Sequence, residues 1–357
     1  MPMIVVDAHE DIAYNALMFG RDYRQSALAH RTREASTDTP NNAGTATVGL
    51  PDALLGRVAL TFSTLFVAPR TRQSAPWDGL SYSEPEEAYA IALRQMDYYE
   101  RLADEHDKIN LVRTQADLDA VLATWEDGKT LEDHQIGLVT LMENADPIIE
   151  PKQFEEWYER GVRLVGLAWH QTRYCGGTGS PGPLTDLGRE LLDVMASFNA
   201  ILDLSHMAEE SYLEAVDRYE GVIIASHSNP RRFCNTDRHL SDDMIARLVE
   251  RDGVMGIVLY NQFLTNGWDK RQRLPFSIIT DAIDYVCQLA GSAAHVGIGT
   301  DFDGGVGRES IPEGLDTVGD LLLIADALRQ KGYAEADIQA IMGGNMIRKL
   351  RQGLPED

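Results

Sequence analysis

Histidine, aspartate and glutamate recur at one kind of place in this chain, directly after an apolar run. The first run leads through VVDAHED into His9 and Asp11, and a later one, GLVTLMEN, ends in Glu143. RLVGLAWH ends in His170, AILDLSH in His206 and GVIIASH in His227, while HVGIGTDFDGG carries Asp301 and Asp303. Imidazole and carboxylate are the donors that suit zinc, manganese and similar divalent ions. Two residues apart on a strand end, His9 and Asp11 point the same way and can chelate one ion. His206 and His227, from successive strands, can hold a second. Glu143, between the two pairs, can bridge ions about 3.5–4 Å apart. Charge agrees, since two divalent ions are balanced by Asp11, Glu143, Asp301 and a hydroxide. Taken singly, a histidine after an apolar run is more often a hydrogen-bonded structural residue, and a strand-end carboxylate is often a helix cap. The recurrence on matching strand ends is what points to metal.

Those ends must meet if they are to share ions. The apolar runs occupy residues 4–6, 58–67, 136–142, 162–169, 200–204, 222–225, 254–259 and 296–298. Apolar and without alternation, they read as strands buried on both faces of a parallel sheet. Helical periodicity covers 84–106, 153–160, 187–198, 208–219, 242–250 and 278–289, and then 317–330 and 334–350 after the last strand. Ser241 and Thr317 stand where N-caps belong. Eight strands alternating with helices predict a (β/α)8 TIM barrel of the metal-dependent hydrolase type, as a single domain over residues 1–357. An open doubly wound sheet is the alternative, but no G-x-G-x-x-G follows the first strand. The long irregular stretches 19–56, 69–83, 171–183 and 262–275 each follow a strand, which puts them on the barrel's C-terminal rim beside the strand-end residues. His30, His106 and His134 fall in polar loops or helices and are expected to be solvated. Asp303 is expected to shape the loop after the eighth strand, where Gly304 and Gly305 permit a tight turn.

Composition narrows the partners. With 56 acidic against 32 basic residues the formal charge is -24, so polyanions are repelled, and neither nucleic acid nor an anionic membrane is an expected partner. Apolar residues at 44 % suffice for a large core in 357 residues. Cys175, Cys234 and Cys287 are odd in number and far apart, which argues against a disulfide framework and against a thiolate zinc site. The opening MPMIVVDAHED lacks a signal-peptide pattern, and no run approaches the roughly 20 apolar residues of a membrane span. A cytoplasmic location is the expectation.

In order along the chain, DAHED (7–11), Glu143, His170, LDLSH ending at His206, IIASHS around His227, Arg238, IVLYN with Tyr260, GIGTDFDGG (297–305) and the closing GGNMIRKL (343–350) resemble the renal (membrane) dipeptidase family, peptidase family M19 of the amidohydrolase superfamily. The H-x-D opening and Glu143 are similar to this branch, where most amidohydrolases open with H-x-H. The resemblance implies two divalent ions, most often Zn2+, with His9 and Asp11 on one, His206 and His227 on the other, and Glu143 bridging. It implies that Asp301 transfers the proton, that His170 faces the tetrahedral oxyanion and that Arg238 takes the terminal carboxylate of a small dipeptide, with Tyr260 helping to position it. A homodimer is also implied, and so is possible cleavage of substrates with a D-residue at the carboxyl side. The chain departs from the animal enzymes in Asn144–Ala145–Asp146 after Glu143, in the loop 171–183 and in lacking their secretion signal and lipid-anchor tail. A metal-dependent deaminase, lactonase or phosphotriesterase is the competing enzyme class, opposed by the H-x-D opening and Arg238. A non-catalytic ligand-binding barrel is the competing non-enzyme class, opposed by five intact ligand positions.

Overall fold

The computed structural model describes residues 3–72 and 79–356; of the irregular stretch 69–83, residues 73–78 lie outside the described part. Eight parallel strands run in chain order: β1 (Val5–Glu10), β2 (Val58–Leu65), β3 (Ile136–Met142), β4 (Val162–Gly166), β5 (Ile201–Asp203), β6 (Ile223–Ser228), β7 (Val254–Ile257) and β8 (Val296–Ile298). Each pairs with its chain neighbour, β8 returns to β1, and β2 pairs with β3 from Leu60↔Gly137 to Leu65↔Met142. The sheet therefore closes, and the (β/α)8 barrel read from the sequence is the fold. All eight strands are fully buried, which is why their sequences show apolar runs without the alternation of a half-wet sheet.

The barrel interior is filled by Val6, Ala8, Leu60, Phe62, Val139, Leu141, Leu164, Ile224 and Val254, with Trp125, Met346 and Leu350 in the same cluster. Trp125 donates to the Gln135 carbonyl just before β3, so this plug sits at the strands' N-terminal ends. The helices outside bury one face each. In Asp242–Glu250 that face is Met244, Ile245 and Leu248, and the Ser241 hydroxyl accepts from Met244 N as an N-cap. Each such side chain contributes about 1.5–3 kcal/mol when fully buried. Thr317 caps its segment too, through a reciprocal pair with Asp320.

Several expectations need correction. Residues 19–56 are not irregular: they hold helices Ala27–Glu34, Thr39–Ala43 and Leu50–Leu55, the first capped by Ser26. These helices are short, five to eight residues each, and the last two open with a proline at their first turn, which hides the periodicity. Between β2 and β3 lies an extra strand, Ile109–Leu111, paired with the start of β3, and a helix, Gln115–Ala123, with a Thr114–Asp117 capping box. Residues 171–183 form a hairpin in which Cys175–Gly177 pairs with Ser180–Leu184. His30 and His134 are buried rather than solvated: His134 stacks on Trp125 at 3.9 Å between ring centroids, and His30, on the buried face of the 27–34 helix, has its Nδ1 3.1 Å from Arg33 Nη2. All three cysteines are unpaired and buried. Among the described residues no helix is long and apolar enough to cross a membrane.

Candidate metal centre and active site

Irregular strand pairing aims the first two imidazoles. Along β1, Val6 and Ala8 already face the barrel interior. Strict alternation would turn His9 outward, but the register with β2 shifts between Asp7 and Glu10, and His9 faces the mouth instead. Along β6 the register with β7 shifts between Ala225 and Ser228, at His227. Bulges of this kind re-aim side chains near active sites. The two rings stack with centroids 3.6 Å apart. Close packing around the β6 irregularity requires glycine: a Cβ on Gly256 or Gly299 would lie 1.9 or 2.0 Å from the Ser226 carbonyl oxygen. His206 and Asp301 follow their strands with φ of 64° and 61°, a left-handed conformation that costs most side chains about 1–2 kcal/mol and is best tolerated by Asn, Asp and His.

Buried carboxylates fasten this backbone. Asp7 accepts from Thr300 N at 2.8 Å, Thr300 Oγ1 at 2.6 Å and His9 N at 3.3 Å, tying β1 to the loop after β8. Asp203 accepts from Ser226 N at 2.8 Å, Ser205 N at 3.0 Å and the Ser226 hydroxyl. Asp303 accepts from Thr47 N and Oγ1 at 2.8 and 2.7 Å and lies 3.5 Å from Arg21. It thereby anchors the loop after β8 to the 19–56 segment.

The strand-end residues do converge. Glu143 Oε1 lies 3.4 Å from His206 Nε2, 3.6 Å from His227 Nε2 and 3.7 Å from His9 Nε2. His9 Nε2 is 3.9 Å from an oxygen of Asp11 and 3.9 Å from one of Asp301. The ligand atoms of His9, Glu143 and His227 fall within 4.8 Å of one another, as do those of His9, Asp11 and Asp301. His206 Nε2 and His227 Nε2 face each other at 3.0 Å.

Burial makes this cluster unwelcoming to its own charges. Loss of water, then Asp11 and Asp301, push the Glu143 carboxyl well above its usual range. Burial and then Asp11 do the same to Asp301, and burial raises Asp11 to about 6. Burial, with Arg238 nearby, lowers His9 to about 3, and His206 and His227 are driven well below their ordinary value. Three neutral imidazoles thus face three carboxylates that resist ionisation. Neither ring nitrogen of His9 has a hydrogen-bond partner, and neither does Glu143 Oε2. Buried polar atoms are rarely left so. A tetrahedral ion with ligands at 2.0–2.2 Å spaces its donors about 3.3–3.6 Å apart, close to the observed 3.4–3.9 Å. The donor set fits divalent cations, which would satisfy the orphaned atoms and neutralise the carboxylates together.

Beside the cluster opens a cavity of about 570 Å³, lined among others by Tyr14, Phe66, Trp169, His170, Arg238 and Tyr260. Arg238 is buried, so the surface ion pair that its type alone suggests does not exist. Its Nη2 donates to the His227 carbonyl at 2.6 Å and its Nη1 to Ser228 Oγ at 3.3 Å, while Nε has no partner. Tyr260 is half-buried at the rim, its hydroxyl pushed up by burial and by Asp301. His170 Nδ1 lies 2.7 Å from the Thr178 carbonyl, which can only accept, so Nδ1 carries the proton. Its Nε2 accepts from Arg72 Nε at 2.9 Å. The nitrogen that would donate to an oxyanion is therefore engaged as an acceptor. Arg72 was not among the residues singled out by sequence; it sits in a polar stretch where an arginine carries no signal.

Barrel and mouth together are those of a metal-dependent hydrolase. The family model described as membrane dipeptidase (peptidase family M19) matches residues 1–353. An uncharacterized dipeptidase of Schizosaccharomyces pombe is 25 % identical over 355 residues, covering 96 % of this chain and 79 % of that one. Dipeptidase 3 of Rattus norvegicus is 25 % identical over 290 residues, 76 % of this chain but 53 % of the rat protein, so the match spans about half of that relative. A metallopeptidase from Rhodobacter sphaeroides, solved with a phosphinate mimic of the dipeptide L-Ala-D-Ala, superposes with a TM-score of 0.80 at 21 % identity, covering 98 % and 99 % of the two chains. The chain belongs to the membrane dipeptidase family, M19, whose members are metal-dependent dipeptidases. Membership implies divalent metal ions at this mouth.

Proposed function

We propose that the protein is a binuclear zinc dipeptidase that hydrolyses the amide of small dipeptides. His9 and Asp11 hold one ion, His206 and His227 the other, and Glu143 lies between them. The observation that carries this reading is the single Glu143 oxygen within 3.4–3.7 Å of three imidazole nitrogens, amid buried donors that nothing else satisfies. Divalent ions held there supply a water acidified toward pKa about 7 and a Lewis acid for the scissile carbonyl.

The chain's own residues do the rest. Asp301, whose carboxyl burial holds well above the usual range, takes a proton at its Oδ atoms and delivers it to the leaving amine nitrogen. Arg238 offers an unpaired, water-excluded Nε–H to the substrate's terminal carboxylate. Tyr260 bounds that subsite on the rim. His170 faces the tetrahedral oxygen, a role that requires its Nε2 to leave Arg72 and carry a proton; one such donor is worth about 3–4 kcal/mol. A D-residue at the carboxyl side is part of the reading, and the phosphinate mimic of L-Ala-D-Ala bound to the Rhodobacter sphaeroides metallopeptidase supports it. We place the protein in the cytoplasm, as a homodimer of single-domain barrels.

The test is a paired library of L-Xaa-L-Xaa and L-Xaa-D-Xaa dipeptides offered to zinc-loaded protein beside a lactone and a phosphotriester. Amide cleavage confined to dipeptides supports the assignment. Turnover of the lactone or phosphotriester in preference to every dipeptide rejects it.

A further inference from the structure

Two guanidinium groups line the cavity, and the reaction proposed above uses only Arg238. Arg72 is exposed at the mouth, in a chain with 56 acidic residues. Most arginines of this protein find a carboxylate, as Arg70 does with Glu87 and Arg160 with Asp97. Arg72 makes no ion pair among the described residues. Its Nε donates to His170 Nε2 at 2.9 Å, its Nη2 to the Gly179 carbonyl at 3.3 Å, and Nη1 has no acceptor among the described residues. A positive group held at a cavity mouth by two neutral acceptors keeps its charge, and one edge of its fork, for a ligand.

Its position says which part of a substrate it meets. Gly179 links the two cations: its carbonyl is held by Arg72, and its N–H donates to Asp237 Oδ2 at 2.8 Å, one residue before Arg238. Arg72 and Arg238 therefore line one cavity and are joined through the hairpin turn and the segment before Arg238. Beside the hairpin turn the Arg72 side chain stays exposed. The same cavity also has an aromatic lining, with Phe66 edge-on to both Tyr14 and Trp169 at 5.3 Å.

We infer that Arg72 is a specificity residue for a second carboxylate, so that the preferred substrates carry aspartate or glutamate at the carboxyl side and an apolar residue at the amino side. This rests on the dipeptidase reading and on Arg238 taking the α-carboxylate. Arg72 then takes the side-chain carboxylate of the same residue through its fork. The two cations also draw a dianion into a mouth that the rest of this acidic surface repels.

The experiment compares L-Ala-Glu with its neutral isostere L-Ala-Gln, each with the L and the D form of the second residue, on wild type, Arg72→Gln and Arg72→Lys. Wild type is expected to favour the Glu substrate in kcat/KM by roughly 10- to 100-fold, mostly through KM. Arg72→Gln should bring the Glu-to-Gln ratio close to one, and Arg72→Lys should leave it in between. A merely structural hold on His170 and Gly179 would lower both substrates alike and leave the ratio unchanged, which would overturn the inference. So would a wild-type ratio near one. Calorimetric titration with the phosphinate mimics of the Glu and Gln dipeptides reads the same ratio as Kd without turnover. If wild type cleaves no dipeptide at all, the dipeptidase reading fails, while the calorimetric ratio still decides the role of Arg72.

Discussion

Asp7, Asp203 and Asp303 lie at strand ends around the same mouth as Asp11, Glu143 and Asp301 and are likewise removed from water, yet the two sets are treated oppositely. The first set is provided for: Asp7 and Asp203 each accept three hydrogen bonds, and Asp303 accepts two beside Arg21. In the second set only Asp11 receives a donor, the Thr64 hydroxyl, while Glu143 and Asp301 face imidazoles at 3.4 Å or more. The sets interleave: Asp7 stands two residues before His9, Asp203 three before His206 and Asp303 two after Asp301. The satisfied carboxylates pin the backbone on which the unsatisfied ones are presented. Since a buried, unpaired polar group costs about 1–3 kcal/mol, a fold that leaves several side by side, next to three unprotonated imidazoles, is arranged for cations.

The comparison breaks most sharply at Glu143. Glu143→Gln is predicted to hold less than one ion per chain by elemental analysis. Its kcat/KM should fall about 10³-fold, beyond the roughly 10–100-fold that changes behind a ligand cost. The metal-free protein should be no less stable for it, because one of three crowded buried carboxyls is gone. Asp303→Ala should do the reverse: removing the acceptor of Thr47 and the partner of Arg21 is predicted to cost about 3–5 kcal/mol in urea unfolding, with bound metal retained. Gly304 lies where the sets touch, and a Cβ there would come within 2.2 Å of Asp301 Oδ1 and 2.8 Å of Asp11 Oδ2. Gly304→Ala should therefore displace Asp301 and lower kcat about 10²-fold, the cost of an ångström of misplacement.

The smallest effect is in pH. In the metal-free fold Asp11 is held at about 6 against an ordinary 3.8, so its contribution to stability is complete below 3.8 and lost as pH rises through 6. His9 runs the other way: lowered to about 3 from 6.5, its contribution is present above 6.5 and lost as pH falls toward 3. A cation must displace the Asp11 proton below about pH 6, whereas above it that ligand is already ionised. The rise in Tm given by saturating zinc should be smaller at about pH 5 than at about pH 7.5 in paired calorimetric scans.

Much of this was legible in the sequence because parallel barrel strands are apolar on both faces. A histidine or glutamate within three residues beyond a run then marks the mouth, and His9, Glu143, His206 and His227 could be found by that rule alone. The way His9 and His227 reach the mouth was not legible, because a register shift depends on which strand lies alongside and at what offset. Arg72 was missed because a polar loop disguises a charged residue turned into a cavity. The burial of His30 and His134 was not legible because their neighbours in sequence are polar, while the apolar groups beside them in space, Val48 and Phe302 for His30 and Trp125 for His134, are not adjacent in the chain. The helices of 19–56 escaped notice since each is eight residues or fewer, too short to show a period.

The central claim is that the unsatisfied set seats paired ions. Anomalous diffraction at the zinc edge from zinc-equilibrated crystals tests it most directly. The account predicts two peaks about 3.5–4 Å apart, one beside His9 and Asp11 and one beside His206 and His227, with Glu143 in reach of both. No peak within coordination distance of Glu143, or zinc bound only elsewhere on the acidic surface, would contradict it.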